Sequence, residues 1–154
     1  MKIKKILWPT DFSKASLKAL DAAIELADQF SAEILAVNII GEIPAAYGYP
    51  GAGSFNVAMY QEELEKNNKE RLRETLDQNI KKNIKTSTKV LHGREADEIV
   101  KAADENQADL IVISTHGFTG LKRLLLGSVA EAVIRHADQP VLTIRITEED
   151  EAGW

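Results

Sequence analysis

Residues 110–146 read LIVISTHGFTGLKRLLLGSVAEAVIRHADQPVLTIRI, and the succession of patterns in this stretch decides the fold. Leu110 to Ile113 is a short, uninterrupted apolar run, the signature of a strand buried on both faces. Leu121 to Leu126 and Val129 to Ala137 place their apolar residues at helical spacing. Val141 to Ile146, after Pro140, returns to a strand pattern. A strand, a helix and a second strand in succession make a crossover between parallel strands.

The same alternation continues towards the N-terminus. Ile3, Ile6, Leu7 and Trp8 form a first strand that stops at Pro9-Thr10-Asp11. Leu17, Leu20, Ile24, Ala27 and Phe30 form one face of an amphipathic helix, with Asp11 or Ser13 as its N-cap. Glu33 to Ile40, EILAVNII, is a second strand. Gly41 to Asn56 holds four of the nine glycines and two of the four prolines, so it forms no regular element. Loops of that length are functional or disordered. With Tyr47 and Tyr49 it is a lid over a ligand, a partner surface or a plain connection. Val57 to about Lys82 is a long charged helix with one stripe, Tyr60, Leu64, Leu72, Leu76 and Ile80. Thr86 to Leu91 alternates weakly as a third strand, and Ala96, Ile99, Val100 and Ala103 mark a third helix. The order βαβαβαβαβ predicts a single doubly wound α/β domain over residues 1–147, followed by a flexible acidic tail at 148–154.

Bulk properties exclude several functions. The 154 residues are 44% hydrophobic and 28% charged, ordinary for a globular domain. The chain has no cysteine, which rules out disulfides, thiolate metal sites and cysteine catalysis. A net charge of −5 argues against general nucleic-acid binding. No apolar run reaches membrane-spanning length, so the expected location is cytoplasmic.

In a doubly wound sheet, ligands bind beyond the carboxyl ends of the strands, where the strand order reverses. Pro9-Thr10-Asp11-Phe12-Ser13 and Ser114-Thr115-His116-Gly117 leave the first and fourth strands at that end. Gly117, Gly120 and Gly127 permit close backbone approach. Gly127-Ser128 precedes a helix, whose unsatisfied N–H groups and positive dipole end suit a phosphate. Ser128 and Thr115 add hydroxyls. Alternatively, the glycines make turns and Ser128 caps the helix. The segment is neither a Walker loop, which needs Gly-Lys-Ser/Thr, nor a Rossmann fingerprint, which would follow the first strand.

The motifs PTDFS, VLHGREADEIVKAA, DLIVIS and STHGFTGLKRLLLGSVAEAVIRHADQPVLTI, taken together, resemble the universal stress protein family over nearly the whole chain. The nucleotide-binding branch of that family carries Gly-x2-Gly-x9-Gly-Ser/Thr, and this chain has Ser114-x2-Gly117-x9-Gly127-Ser128. Ser114 replaces the first glycine, and serine excludes positive φ more strongly than glycine does. The resemblance implies five parallel strands in the order 3-2-1-4-5, a homodimer through the last strand, and an ATP or related adenine-nucleotide site between strands one and four. Pro9, Thr10 and Asp11 would line the adenosine side, and the backbone of Ile39 would face the adenine. Ile113 and Ser114 would lie beneath the ribose and phosphates. Thr115, His116, Gly117, Gly127, Ser128 and Val129 would complete the phosphate loop, with Mg²⁺ near Asp11.

Other polar residues carry a structural and a functional reading side by side. Asp11 binds a ribose hydroxyl or a metal, or caps the first helix. His116 touches phosphate, serves as an acid, or is a loop residue. Lys122 and Arg123 reach the terminal phosphate or face solvent, and Arg94 reaches the crevice or has no role there. Gly93 is a turn residue, while His92 and His136 show no metal spacing. Three functions follow: a nucleotide-dependent binding module, a slow metal-dependent ATPase or nucleotidyl-transfer enzyme using His116, or a nucleotide-free dimeric interaction protein.

Overall fold

The computed structural model describes residues 2–42, 56–80, 83–115 and 126–145. Five strands and four helices alternate along them: β1 (Lys5–Pro9), α1 (Lys14–Phe30), β2 (Glu33–Ile40), α2 (Val57–Asn79), β3 (Thr86–His92), α3 (Glu95–Glu105), β4 (Leu110–Ser114), α4 (Ser128–His136) and β5 (Val141–Ile144). All neighbouring strands are parallel, and the sheet order is β3-β2-β1-β4-β5. The chain is thus the α/β doubly wound fold that the alternating pattern predicts.

The apolar runs become strands because both sheet faces are covered. On one face α1 and α2 bury Ala19, Leu20, Ala23, Leu72 and Leu76 against Ile6, Trp8, Ile34 and Val112. On the other, α3 and α4 bury Ile99, Ala102, Ala103, Ala130 and Val133 against Leu7, Val37, Ile111 and Ile113. Successive side chains of β1 therefore enter opposite cores, which is why this strand has no polar member between Ile6 and Trp8.

Several boundaries differ from the sequence expectation. Ser13, not Asp11, caps α1, its hydroxyl accepting the Ser16 N–H at 3.2 Å. The α2 helix ends at Asn79, and within its expected stripe Leu72 and Leu76 are buried while Tyr60 is exposed. Within the segment expected as the last strand, β5 covers Val141–Ile144, and Arg145 is already outside it. Ile146 and the 148–154 tail lie outside the described residues, as do positions 43–55 of the glycine- and proline-rich loop. Gly93 is the turn residue expected: its φ is +139°, and an added Cβ would come within 3.1 Å of Glu98 Cγ. No helix among the described residues is long and apolar enough to cross a membrane.

Candidate functional site

The sheet divides at the carboxyl end of β1. The crossover helix α1 leaves β1 for one face, and α4 leaves β4 for the other. The β1–β4 ladder holds Ile6↔Leu110 and Leu7↔Ile111, whereas β1 stays beside β2 as far as Pro9↔Val37. Pro9 explains the difference. Neighbouring residues of a strand turn their backbone groups to opposite sides. Thr10 N–H donates to the Val37 carbonyl at 2.9 Å, towards β2. Pro9 therefore faces β4, and it has no N–H to give. A proline that would be out of place in a fully paired central strand ends one ladder at the switch point of the sheet, where a doubly wound fold has its ligand crevice.

The β2 wall of the crevice follows from the same alternation. Gly93 N–H donates to the Ile40 carbonyl at 3.1 Å, so Ile40 faces β3 and Ile39 faces the β1 side. The next rung to β1 would join Ile39 N–H to the Thr10 carbonyl. That carbonyl instead accepts from Asn38 Nδ2 at 2.9 Å. Ile39 thus presents its backbone where β1 has ended, and its side chain packs on the α3/α4 core.

The floor is the Pro9–Ser13 turn. Thr10 is buried, and its polar groups are engaged within the protein: its hydroxyl meets Ser16 Oγ at 2.8 Å and accepts the Phe12 N–H at 2.9 Å. Trp8 Nε1 donates to the Ser16 carbonyl at 2.8 Å, tying α1 to the same turn. Asp11 is exposed, and its Oδ1 accepts the Ser13 N–H at 2.9 Å. Phe12 takes the left-handed conformation, φ 62°, and the Arg71 guanidinium lies 4.3 Å from its ring centroid. Asn38 Oδ1 in turn accepts from Asn68 Nδ2 of α2 at 2.9 Å. Sequence reasoning missed Asn38, Asn68, Ser16 and Arg71. An asparagine inside the apolar run EILAVNII was the available signal, because a buried amide must find partners.

On the β4 wall, Ile113 sits in the α3/α4 core, and Ser114 and Thr115 are buried. Ser114 closes β4 opposite Ile144. Thr115 N–H donates to the Ile144 carbonyl at 2.9 Å, and the Thr115 carbonyl accepts the Gly127 N–H at 2.6 Å. This last bond pins the start of α4 to the end of β4. Gly127 is the N-cap, at φ −71° and ψ 151°, and no side chain caps the helix. Ser128 is therefore the first helical residue and not the cap. The N–H groups of Ser128, Val129 and Ala130 have no acceptor within the helix, and they carry its positive dipole end. His116, Gly117, Gly120, Lys122 and Arg123 lie outside the described residues.

Of the other polar residues weighed in the sequence, Arg94 and His92 have partners on helices α3 and α2. Arg94 pairs with Asp97 at 3.5 Å on α3, and His92 Nε2 lies 3.2 Å from Glu65 on α2. His136 ends α4. No cluster of three or more His, Cys, Asp or Glu suited to a metal occurs among the described residues. A cleft of about 680 Å³ opens at the opposite, amino end of the strands, but its charged groups serve one another. Lys5 and Lys85 both meet Glu33 at 2.9 Å. Asp109 Oδ2 accepts the N–H groups of Lys4 and Lys5 at 2.8 and 2.9 Å. That end is a tie between loops, and the carboxyl end carries the candidate site.

Comparison with known proteins agrees with this fold. Universal stress protein MJ0531 of Methanocaldococcus jannaschii is 42% identical over 92% of this chain and 82% of its own length. Universal stress protein MJ0577 of the same organism is 32% identical over 92% of this chain and 94% of its own. The solved structure of MJ0577 superposes with a TM-score of 0.82 at 28% identity, covering 96% of this chain and 99% of that one. The fold is shared by a universal stress protein of Archaeoglobus fulgidus solved in complex with dAMP, at a TM-score of 0.57, 23% identity and coverage of 94% and 99%. The sequence profile of the Universal stress protein family matches residues 2–145, and the chain belongs to that family.

Proposed function

We propose that the crevice between β1 and β4 binds an adenine nucleotide, ATP in the first instance, and that the protein is a nucleotide-dependent binding module. The observation that carries this reading is the uncapped N-terminus of α4, fastened to the end of β4 by the Gly127–Thr115 bond, beside a ladder that stops at Leu7↔Ile111. Three converging N–H groups and the Ser128 hydroxyl suit a phosphate chain. The backbone of Ile39 suits the edge of an adenine, which offers one donor and one acceptor side by side. Pro9, Thr10 and Asp11 form the adenosine side, with Thr10 shaping it by packing because its hydroxyl, N–H and carbonyl are all engaged within the protein. Ile113, Ser114 and Thr115 form the wall beneath the ribose and phosphates, and Val129 supplies one of the N–H groups. A relative of this fold solved with dAMP agrees with the ligand class.

Mg²⁺ fits this site only as a companion of the nucleotide. Asp11 is the one carboxylate of the Pro9–Ser13 turn, and magnesium is typically held by one or two carboxylates together with phosphates and water. The donor set at α4 neutralises phosphate charge with or without the ion. Asp11 takes no direct phosphate contact in this reading, since like charges at a few ångströms repel.

Isothermal titration of the purified protein with ATP is expected to give saturable, one-site binding, and mass spectrometry of the denatured protein to release an adenine nucleotide. No heat and no thermal shift at millimolar ATP would overturn the reading. The exposed edge strand β5 further supports a homodimer paired through its outer side, and a cytoplasmic setting accords with the family.

A further inference from the structure

The nucleotide reading leaves unexplained why α2 reaches into the crevice floor. Two side chains one turn apart on this helix do so. Asn68 donates to Asn38 Oδ1, and Asn38 Nδ2 donates to the Thr10 carbonyl, so a chain of two hydrogen bonds of 2.9 Å joins α2 to the residue before Asp11. Arg71 lies over the ring of Phe12, the residue after Asp11, at 4.3 Å from its centroid. The two tethers therefore grip Asp11 from both sides. Leu72 and Leu76, on the same side of the helix, are buried in the core and fix the helix against the sheet.

The gripped turn is strained. Phe12 holds φ 62°, a region that residues with a Cβ rarely enter. Such a conformation persists only where its surroundings over-determine it. Here the Phe12 N–H is held by Thr10 Oγ1 at 2.9 Å, and its ring is held between the α1/α2 core and the Arg71 guanidinium. The same asparagine that joins the chain also occupies the Thr10 carbonyl and so leaves the Ile39 N–H to the crevice.

We propose that Asn38, Asn68 and Arg71 are positioning residues: they lock the Thr10–Ser13 turn from α2, set where the Asp11 carboxylate stands, and couple occupancy of the crevice to the position of α2. This rests on the nucleotide reading for its consequence but not for its geometry. Coupling is reciprocal, so a change that moves α2 alters nucleotide affinity by the same factor by which nucleotide resists that change.

The test uses Asn68→Ala, Arg71→Ala and Arg71→Lys in the full chain. Amide resonances of Asp11 and Phe12 are recorded without ligand, and ATP affinity is measured by titration. Both alanine variants are expected to move the Asp11 and Phe12 resonances. Arg71→Ala should weaken ATP binding roughly two- to fivefold, the worth of an exposed cation–π contact. Asn68→Ala should weaken it about two- to tenfold, the worth of a hydrogen bond. Arg71→Lys, which keeps the cation, should retain most of the affinity. Unmoved resonances overturn the lock. Moved resonances with wild-type affinity overturn the coupling, as does an affinity loss that Arg71→Lys does not relieve. Absence of ATP binding in the wild type overturns the nucleotide reading and the coupling with it, while the unliganded resonances still decide the lock.

Discussion

Ser114 stands where the nucleotide-binding branch has glycine, and the backbone around it decides whether that matters. A glycine is demanded where φ is positive or a Cβ would clash. Ser114 is instead the last residue of β4, paired with Ile144 in the parallel ladder, an extended position open to any residue. The serine is therefore compatible with the site, and Ser114→Gly should not act as a repair. ATP affinity of that variant is expected within about threefold of wild type, under roughly 0.7 kcal/mol. Its stability should fall by about 0.5–1 kcal/mol, the usual cost of glycine in a strand. A tenfold gain in affinity by titration would show that the serine handicaps the site after all. Gly127 makes the complementary point. Its φ of −71° needs no glycine, and its N–H is spent on Thr115. In the proposed nucleotide site its value would lie in bringing the next three N–H groups to the crevice with no side chain competing for them.

The elements were legible in the sequence where burial is continuous and obscure where it is not. Glu33–Ile40 and Leu110–Ile113 read directly because both faces of these central strands are covered, so nearly every residue is apolar. Thr86–His92 pairs with β2 alone, and its TSTKVLH pattern was correspondingly weak. Pro9-Thr10-Asp11 and Gly127-Ser128, the segments singled out in the sequence, do fall at the carboxyl ends of β1 and β4. The internal wiring of the crevice was not legible, because Asn38 meets Asn68 thirty residues away, a pairing that only tertiary packing creates. The amino end of the sheet was equally silent in the sequence and makes its own prediction. Hydrogen bonds from Lys85 and then Lys5 hold the Glu33 carboxyl below its ordinary range. A carboxyl with a lower pKa folded than unfolded stabilises the fold above its unfolded pKa, near 4.5 here, and loses that contribution as pH falls through the folded value. Glu33→Gln should therefore lower the urea midpoint at pH 7, by a margin that shrinks as the pH falls below 4.5. A difference that persists undiminished at the acid end would assign the effect to packing.

At the scale of the whole molecule, the sheet has two edges of unlike character. The β3 edge is polar, with Thr86, Ser87 and Lys89 exposed. The β5 edge is short and apolar, VLTI, and Leu142 is 38% exposed. An edge that stays unpaired among the described residues is a template for another chain. Backbone alternation identifies the groups that would pair. Ile144 and Pro140 offer their carbonyls to β4, so Val141 and Thr143 turn their N–H and C=O groups outward. Two copies related by a two-fold axis would bring these groups together in antiparallel register, an isologous contact that closes and leaves no β5 edge open. Light scattering is then expected to report a mass twice the 17.0 kDa of the chain. Thr143→Pro deletes one outward donor while sparing the bonds to β4, the position at which an edge strand tolerates proline. That variant should scatter as a monomer while its far-ultraviolet circular dichroism and its ATP affinity stay near wild type, because the crevice lies at the other side of β4. A wild-type protein that is monomeric at micromolar concentration would remove the dimer, and a Thr143→Pro protein that remains dimeric would move the interface away from β5.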